Sequence, residues 1–147
     1  MKVSIHTGEN YRQLRDLVQG QRLHTVCREA RCPNIYECWE RSSATLMILG
    51  DVCTRSCGFC AVKTGRPPVL DDQEPCRTAR AVKAMGLRHC VITSVNRDEL
   101  PDGGSSVWAE TIRQVHQQVP GCSVEVLIPD FQGEQTALQR VIDAGPE

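Results

Sequence analysis

Three cysteines lie within eight residues in the segment "DVCTRSCGFCA" at positions 51–61. They are Cys53, Cys57 and Cys60, in C-x3-C-x2-C spacing, and no fourth cysteine lies beside them. Three thiolates can hold three irons of a 4Fe-4S cube, because each thiolate binds one iron. The fourth iron is then open to a ligand that does not come from the protein. The spacing therefore predicts an iron–sulfur cluster with one open coordination position.

A second triplet, "CREARCPNIYEC", contains Cys27, Cys32 and Cys38 in C-x4-C-x5-C spacing. Pro33 follows the second cysteine and interrupts regular structure there. This triplet also has no fourth ligand nearby. By itself the pattern does not separate a metal site from scattered cysteines. Its position beside the first triplet predicts a second cluster.

Other interpretations of the cysteines stay open. Structural zinc needs four ligands, usually from two C-x2-C pairs, and His24 would have to be recruited from a distant position. A bacterial ferredoxin run, C-x2-C-x2-C-x3-C, does not match. We expect the remaining thiols to pack as small apolar core residues, namely Cys76, Cys90 and Cys122. We expect the histidines to be structural or at the surface, namely His6, His24, His89 and His116.

The composition is that of an ordinary globular protein apart from its nine cysteines, with 40% hydrophobic residues, 24% charged residues and a net charge of -1. No apolar run reaches the roughly 18 residues of a membrane span, and the first residues lack the apolar region of a signal peptide. We therefore expect a cytoplasmic protein without a membrane partner. In such a protein, metal or redox chemistry explains the nine cysteines better than disulfide bonds do. Two Trp, two Tyr and two Phe offer few platforms for stacking bases, so no nucleic-acid partner is expected.

The chain changes character near residue 44. Residues 1–43 are predicted to be a cysteine-bearing N-terminal extension with one short helix. Residues 44–147 alternate apolar runs with amphipathic stretches, which is typical of parallel βα units. The predicted strands cover 44–50, 88–94 and 123–129, each apolar enough for both faces to be covered.

The predicted fold class is α/β, with three βα units of a partial (β/α) barrel. A complete barrel takes about 250 residues, so we expect a truncated portion with an unpaired sheet edge. The first cysteine triplet follows the first strand. That places it at the carboxyl end of the sheet, where parallel α/β proteins bind their ligands.

These residues resemble the lipoyl synthase family of the radical S-adenosylmethionine (SAM) enzymes. "ATLMILGDVCTRSCGFC" is similar to that family's version of the radical SAM signature, and the second triplet is similar to its auxiliary-cluster motif. "VITSVNRDELPDGG" and "VEVLIPDFQG" resemble its next two barrel segments. The resemblance extends from about Gly8 over nearly the whole chain and implies an N-terminal portion of a radical SAM barrel.

The resemblance implies a sulfurtransferase that inserts two sulfur atoms into a protein-bound octanoyl chain to make the lipoyl cofactor. It implies two 4Fe-4S clusters: one on Cys53, Cys57 and Cys60 that binds and cleaves SAM, and an auxiliary one that supplies sulfur. The ligands implied for the auxiliary cluster are Cys27, Cys32 and Cys38. The implied partners are an octanoylated lipoyl domain or other octanoyl carrier protein, and an electron donor such as ferredoxin or flavodoxin.

The segment after the second predicted strand carries hydroxyl, amide and guanidinium groups to the same end of the sheet. We expect four of its residues to line the SAM pocket: Thr93, Ser94, Asn96 and Arg97. Gly103 and Gly104 would let backbone N–H groups approach a ligand closely. No side chain is expected to be catalytic, since the chemistry belongs to the clusters and SAM.

One feature of the family is missing. Its auxiliary cluster takes a serine ligand from an Arg-Ser-Ser motif near the C terminus, and Arg41-Ser42-Ser43 lies in the wrong place for that role. The chain alone is therefore expected to be weak or inactive. Two alternatives stay open: another radical SAM enzyme of sulfur insertion or methylthiolation, and a non-catalytic iron–sulfur or zinc protein.

Overall fold

A parallel sheet forms the centre of the fold in the computed structural model, which describes residues 7–147. His6 lies outside these residues. The sheet order is β1-β2-β5-β6, and β2, β5 and β6 run parallel, with Leu46 opposite Ile92 and Ile92 opposite Val126. The strands are β1 (His24–Thr25), β2 (Thr45–Ile48), β5 (His89–Ser94) and β6 (Ser123–Leu127), and a separate pair comprises β3 (Val52–Cys53) and β4 (Lys63–Thr64).

The helices connect and cover these strands. They are α1 (Glu9–Gly20), α2 (Val26–Glu29), α3 (Ile35–Glu40), α4 (Glu74–Ala84), α5 (Ser105–Gln118) and α6 (Gln135–Ile142), with a 3-10 turn at Phe131–Gly133. The α/β class, the three parallel strands and the helices between them are confirmed. Two short helices, α2 and α3, and the antiparallel strand β1 were not predicted.

Two clusters of buried side chains hold the fold together. The larger one joins the sheet to α4, α5 and α6, around Ile92, Trp108 and Ile112. The smaller one joins α1 and α3 to α4, around Val18, Trp39 and Ala81. Because β1 pairs with β2, the N-terminal segment adds a strand to the sheet as well as packing beside it. The division into an extension and a barrel portion at residue 43 stays a prediction.

The expectation that every strand is covered on both faces is wrong for β6. Val124 on this strand is fully buried, whereas Glu125 and Leu127 are exposed. Successive side chains of a strand point to opposite faces, and among residues 7–147 the helices cover the face that holds Val124. In contrast, β2 meets the expectation, because Leu46, Met47 and Ile48 are all buried.

None of the helices described in residues 7–147 is long and apolar enough to cross a bilayer.

Candidate functional site

The first cysteine triplet lies in a loop at the carboxyl end of β2, as predicted. This segment, residues 51–65, is called the cysteine loop below. Its base is closed by the pairing of β3 with β4 and by a hydrogen bond from Gly65 N to Cys53 O at 3.0 Å. Cys53 is half-buried at this base, while Cys57 and Cys60 are exposed nearer the tip. All three thiols are free. The loop therefore has an ordered base and two accessible thiols.

The sulfur of Cys53 already has two backbone donors. The N–H of Arg55 lies 3.4 Å from Cys53 Sγ, and the N–H of Asn96, just beyond β5, lies 3.3 Å from it. N–H donors that point at a ligating sulfur stabilise its negative charge and fix its direction. The surroundings of Cys53 thus suit a thiolate bound to iron.

A buried carboxylate holds the turn that leads from β2 into the cysteine loop. Leu49 and Gly50 both have positive φ, 68° and 89°. Their N–H groups donate to the Glu74 carboxylate at 2.7 and 3.2 Å. Glu74 belongs to the first turn of α4 and is only 5% exposed. Burial raises its pKa, and the two N–H donors oppose that rise. The carboxylate therefore helps keep Leu49 in a conformation that a residue with a side chain seldom adopts.

Arg97 holds the same turn from the other side. Its Nη1 donates to the Leu49 carbonyl at 3.0 Å, its Nη2 to the Pro68 carbonyl at 2.8 Å, and its Nε to Glu99 at 2.6 Å. The side chain is 4% exposed, so its guanidinium is used inside the protein. The structure thus brings Arg97 to the predicted edge of the sheet but directs it at the backbone of Leu49.

The other three residues predicted to line the SAM pocket differ from one another in their contacts. Thr93 Oγ1 donates to the Leu127 carbonyl at 2.9 Å, and the Asn96 N–H is committed to Cys53. Ser94 Oγ is buried and has no hydrogen-bond partner among the described residues. A buried hydroxyl without a partner is uncommon, so Ser94 has unused bonding capacity at the ligand-binding end of the sheet.

The Gly103-Gly104 pair allows close packing. A Cβ on Gly104 would lie 2.6 Å from Leu49 Cδ1, and φ at Gly104 is 86°. Its N–H donates to Asp102, which caps the start of α5. Gly104 therefore makes room for Leu49, whereas Gly103 makes room for Phe131, since a Cβ on Gly103 would lie 3.1 Å from Phe131 Cδ1.

Arg55 joins the cysteine loop to the two neighbouring loops. Its Nε and Nη2 donate to both oxygens of Asp98 at 2.7 and 2.8 Å, and its Nη1 and Nη2 donate to both oxygens of Asp130 at 2.8 Å. Asp98 follows β5 and Asp130 follows β6. These hydrogen bonds from Arg55 lower the pKa of Asp98 and that of Asp130 to about 2. The charge of Arg55 is therefore compensated and does not make the cysteine loop positive.

The second triplet also comes together. Cys27 lies in α2 and Cys38 in α3, and the N–H of Cys32 donates to the Cys27 carbonyl at 3.1 Å. Burial raises the pKa of Cys38, and charge interactions with the nearby Cys27 and Cys32 raise it further. All three thiols are free and half-buried. The short helices α2 and α3, which the sequence did not reveal, are what hold them close.

Each cysteine triplet offers three free thiols as possible ligands. Within residues 7–147, no three His, Cys, Asp or Glu side chains are arranged to hold one metal ion. A cube gives each thiolate a different iron, so the thiols stand farther apart than the ligands of a single zinc ion. Free thiols in two groups of three supply the donor set of two such cubes, and the binding of a cluster by each triplet stays a prediction.

The remaining cysteines and histidines lie elsewhere. Cys90 and Cys122 are buried core residues at 2% and 3% exposure, as expected, but Cys76 is only half-buried. His89 contacts Ser123 and Glu125, and His116 contacts the Gly145 carbonyl.

Three acidic residues of the site were missed by the sequence analysis: Glu74, Asp98 and Asp130. The last two could have been found, because each follows a parallel strand and such ends meet at one edge of the sheet. Glu74 gave no signal of its own, since an acidic residue in the first turn of a helix is common.

A family model described as the radical SAM superfamily matches residues 47–147. A second one, described as the N-terminal domain of lipoyl synthase of the radical SAM family, matches residues 1–32. The first match covers most of the chain and includes the cysteine loop.

Curated relatives match the chain from end to end. A lipoyl synthase of Rubrobacter xylanophilus is 63% identical over 147 residues, which are 100% of this chain and 46% of that protein. One of Symbiobacterium thermophilum is 56% identical, with the same shares covered. A mitochondrial lipoyl synthase of Nematostella vectensis is 51% identical over 100% of this chain and 50% of that protein. The chain therefore spans about half the length of these relatives.

Proposed function

The chain belongs to the radical SAM superfamily, and from that premise we propose that it carries the N-terminal, cluster-binding region of a lipoyl synthase. The proposal is supported above all by the free cysteine triplet in the loop after β2, at the ligand-binding end of the parallel sheet. The likeness to lipoyl synthases over the whole chain supports the choice among radical SAM enzymes.

In this proposal Cys53, Cys57 and Cys60 bind the 4Fe-4S cluster whose open iron takes SAM. When bound, this cluster would supply the one-electron chemistry that cleaves SAM and starts hydrogen abstraction from the octanoyl chain. Glu74 and Arg97 hold the turn before the loop, and two N–H groups orient Cys53. The protein's share of the chemistry is thus placement and electrostatics.

The second triplet is proposed to hold the auxiliary cluster that provides sulfur. Cys27, Cys32 and Cys38 are gathered by α2 and α3, and they pack beside the smaller core around Trp39.

The proposed SAM pocket includes Thr93, Ser94, Asn96 and Arg97. Ser94 has the strongest support, because its hydroxyl is buried and unpartnered in the described part of the chain. Arg97 would act on SAM only indirectly, through the Leu49 turn, since its donors are already used.

The proposed substrate is an octanoyl chain on a lipoyl domain or other carrier protein, and the proposed electron donor is a ferredoxin or flavodoxin. Cytoplasmic location belongs to the same proposal. The reaction adds two sulfur atoms at unactivated C–H positions of that chain.

The test begins with anaerobic reconstitution and chemical analysis. We expect about eight irons and eight sulfides per chain, since two four-iron cubes would assemble on six thiols. Cys57→Ala should remove about four irons and abolish SAM-dependent formation of 5′-deoxyadenosine. Cys76→Ser, a half-buried cysteine outside both triplets, is the matched control and should change neither. Zinc in place of iron would overturn the proposal.

A further inference from the structure

The loops after β2, β5 and β6 meet at one side chain. Arg55 lies between the first two cysteines of the triplet and binds Asp98 and Asp130 through both oxygens of each carboxylate. Thr54, its neighbour, adds a contact of 2.9 Å from its hydroxyl to Asp98. Arg55 therefore joins all three loops by side-chain hydrogen bonds.

We propose that Arg55 is a positioning residue that locks the cysteine loop against the loops after β5 and β6, so that Cys53 is oriented before iron binds. This inference rests on the proposed cluster site. The hydrogen bonds of Arg55 to both carboxylates determine how firmly the cluster is held.

The geometry of the guanidinium makes this role specific to arginine. Four of its hydrogen bonds go to two planar carboxylates, and this paired arrangement fixes orientation as well as distance. A lysine has the same charge but only a point-like ammonium, so it cannot form paired hydrogen bonds with both carboxylates. The side chain of Arg55 is 32% exposed and that of Asp98 25%, so water only partly weakens the contact.

The contact also controls the position of Cys53. The Arg55 N–H donates to Cys53 Sγ, and the second donor to that sulfur is Asn96, two residues before Asp98. If Arg55 releases Asp98, both donors lose the restraint that aims them. Asp98 and Asp130 then also repel each other, because the positive charge between them is gone.

The charges of Arg55, Asp98 and Asp130 also affect the cluster. One guanidinium and two carboxylates leave a net charge of −1 next to the cluster. Removing Arg55 makes this net charge more negative, and removing Asp130 makes it neutral. Nearby negative charge disfavours the reduced cluster. The two changes should therefore move the reduction potential of the cluster in opposite directions.

The experiment compares Arg55→Lys, Arg55→Gln and Asp130→Asn with the unsubstituted protein after reconstitution. The electron paramagnetic resonance signal that changes when SAM is added identifies the cluster on Cys53, Cys57 and Cys60. The decay of this signal under excess iron chelator gives the rate at which that cluster is released. We expect all three variants to lose the cluster about 10-fold faster, which is the usual cost of changing a residue that supports a metal ligand. We also expect a more negative potential for Arg55→Gln and a more positive one for Asp130→Asn.

Arg140→Gln is the matched control, because Arg140 also joins separate elements through its Nη1, at 2.6 Å from Ser105 Oγ and 3.3 Å from Asp102. It should lower thermal stability without changing the release rate or the potential. Asp130 is 62% exposed, so Asp130→Asn should fold even if the arginine variants do not.

The outcomes separate this inference from the proposed function. If the unsubstituted protein binds no iron, the proposed function fails. If it binds iron and Arg55→Lys or Asp130→Asn releases the cluster at the unsubstituted rate, the inference alone is overturned. Potentials that stay unchanged or shift in the same direction would also overturn it.

Discussion

Cysteine side chains in this protein have three different environments, and the environment decides their chemistry. Cys90 and Cys122 are buried in the core, where a thiol behaves as a small apolar group. Cys57 and Cys60 are exposed on a loop. Cys53 lies between these extremes, with two N–H donors on its sulfur. The spacing in the sequence predicted which thiols belong together, whereas the donors on Cys53 depend on the fold.

Asp98 gives a pH-dependent test of the Arg55 contact. The hydrogen bonds from Arg55 lower the pKa of Asp98 from 3.8 to about 2. Because the pKa is lower in the folded state, the stabilisation is present above pH 4 and is lost as the pH falls toward 2. We expect Asp98→Asn to reduce this loss when the free energy of unfolding of the metal-free chain is measured from pH 6 to 2.

The same measurement in an Arg55→Gln background completes a double-mutant cycle for Arg55 and Asp98. There, Asp98→Asn should have a smaller effect, because Arg55, the partner that lowers the pKa of Asp98 most, is absent. An unchanged pH dependence in Asp98→Asn alone would contradict the prediction.

Glu74 offers a test of the turn before the cysteine loop. In Glu74→Ala the N–H groups of Leu49 and Gly50 lose their acceptor, and each buried unsatisfied donor costs about 1–3 kcal/mol. Glu74→Gln keeps one acceptor oxygen and should lose about half as much stability. Because burial raises the pKa of Glu74, its ionised form is disfavoured in the folded state, so its own contribution improves as the pH falls. Urea unfolding measures both variants, and equal stability of all three proteins would refute this role.

At the scale of helices and strands, periodicity predicted most of the architecture. The runs at 44–50, 88–94 and 123–129 became β2, β5 and β6, and the amphipathic stretches between and after them became α4, α5 and α6. The short elements β1, α2 and α3 were missed, because two to six residues are too few for a period to appear. The auxiliary triplet depends on those elements, so its spacing alone could not show that its thiols meet.

Alanine substitutions at Gly104 and Gly121 distinguish the cost of backbone strain from the cost of steric contact. Both have a φ of 86°, but a Cβ at Gly104 meets Leu49 Cδ1 at 2.6 Å, and a Cβ at Gly121 meets no atom within 4 Å. Gly121→Ala should cost about 1–2 kcal/mol for its left-handed backbone. Gly104→Ala should cost about 1–3 kcal/mol more, since Leu49 is 1% exposed and has no space to move. Thermal unfolding compares the two, and equal losses would mean that Leu49 yields without cost.

Within residues 7–147, exposed apolar side chains lie both in the cysteine loop, at Phe59, and on the outer strand β6, at Leu127. The cysteine loop, Asp98 and Asp130 gather at the carboxyl ends of the parallel strands. β6 is the outer strand of the described sheet, and it has a half-exposed leucine on its uncovered face. The sequence predicted such an unpaired edge from the number of βα units. The clustering of acidic residues around one arginine required the three loops to be placed in space.

The open edge predicts how the 147-residue chain behaves in solution. Leu127 on β6 and Ile142 in α6 are both 53% exposed, and an apolar outer strand invites pairing with another chain. We expect the isolated chain to self-associate as its concentration rises, and the double variant Leu127→Lys, Ile142→Lys to stay monomeric in sedimentation velocity. Val69→Lys is the matched control, because Val69 is 94% exposed but lies in the loop between β4 and α4. Equal association of the double variant and the control would mean that contacts other than the β6 edge drive it.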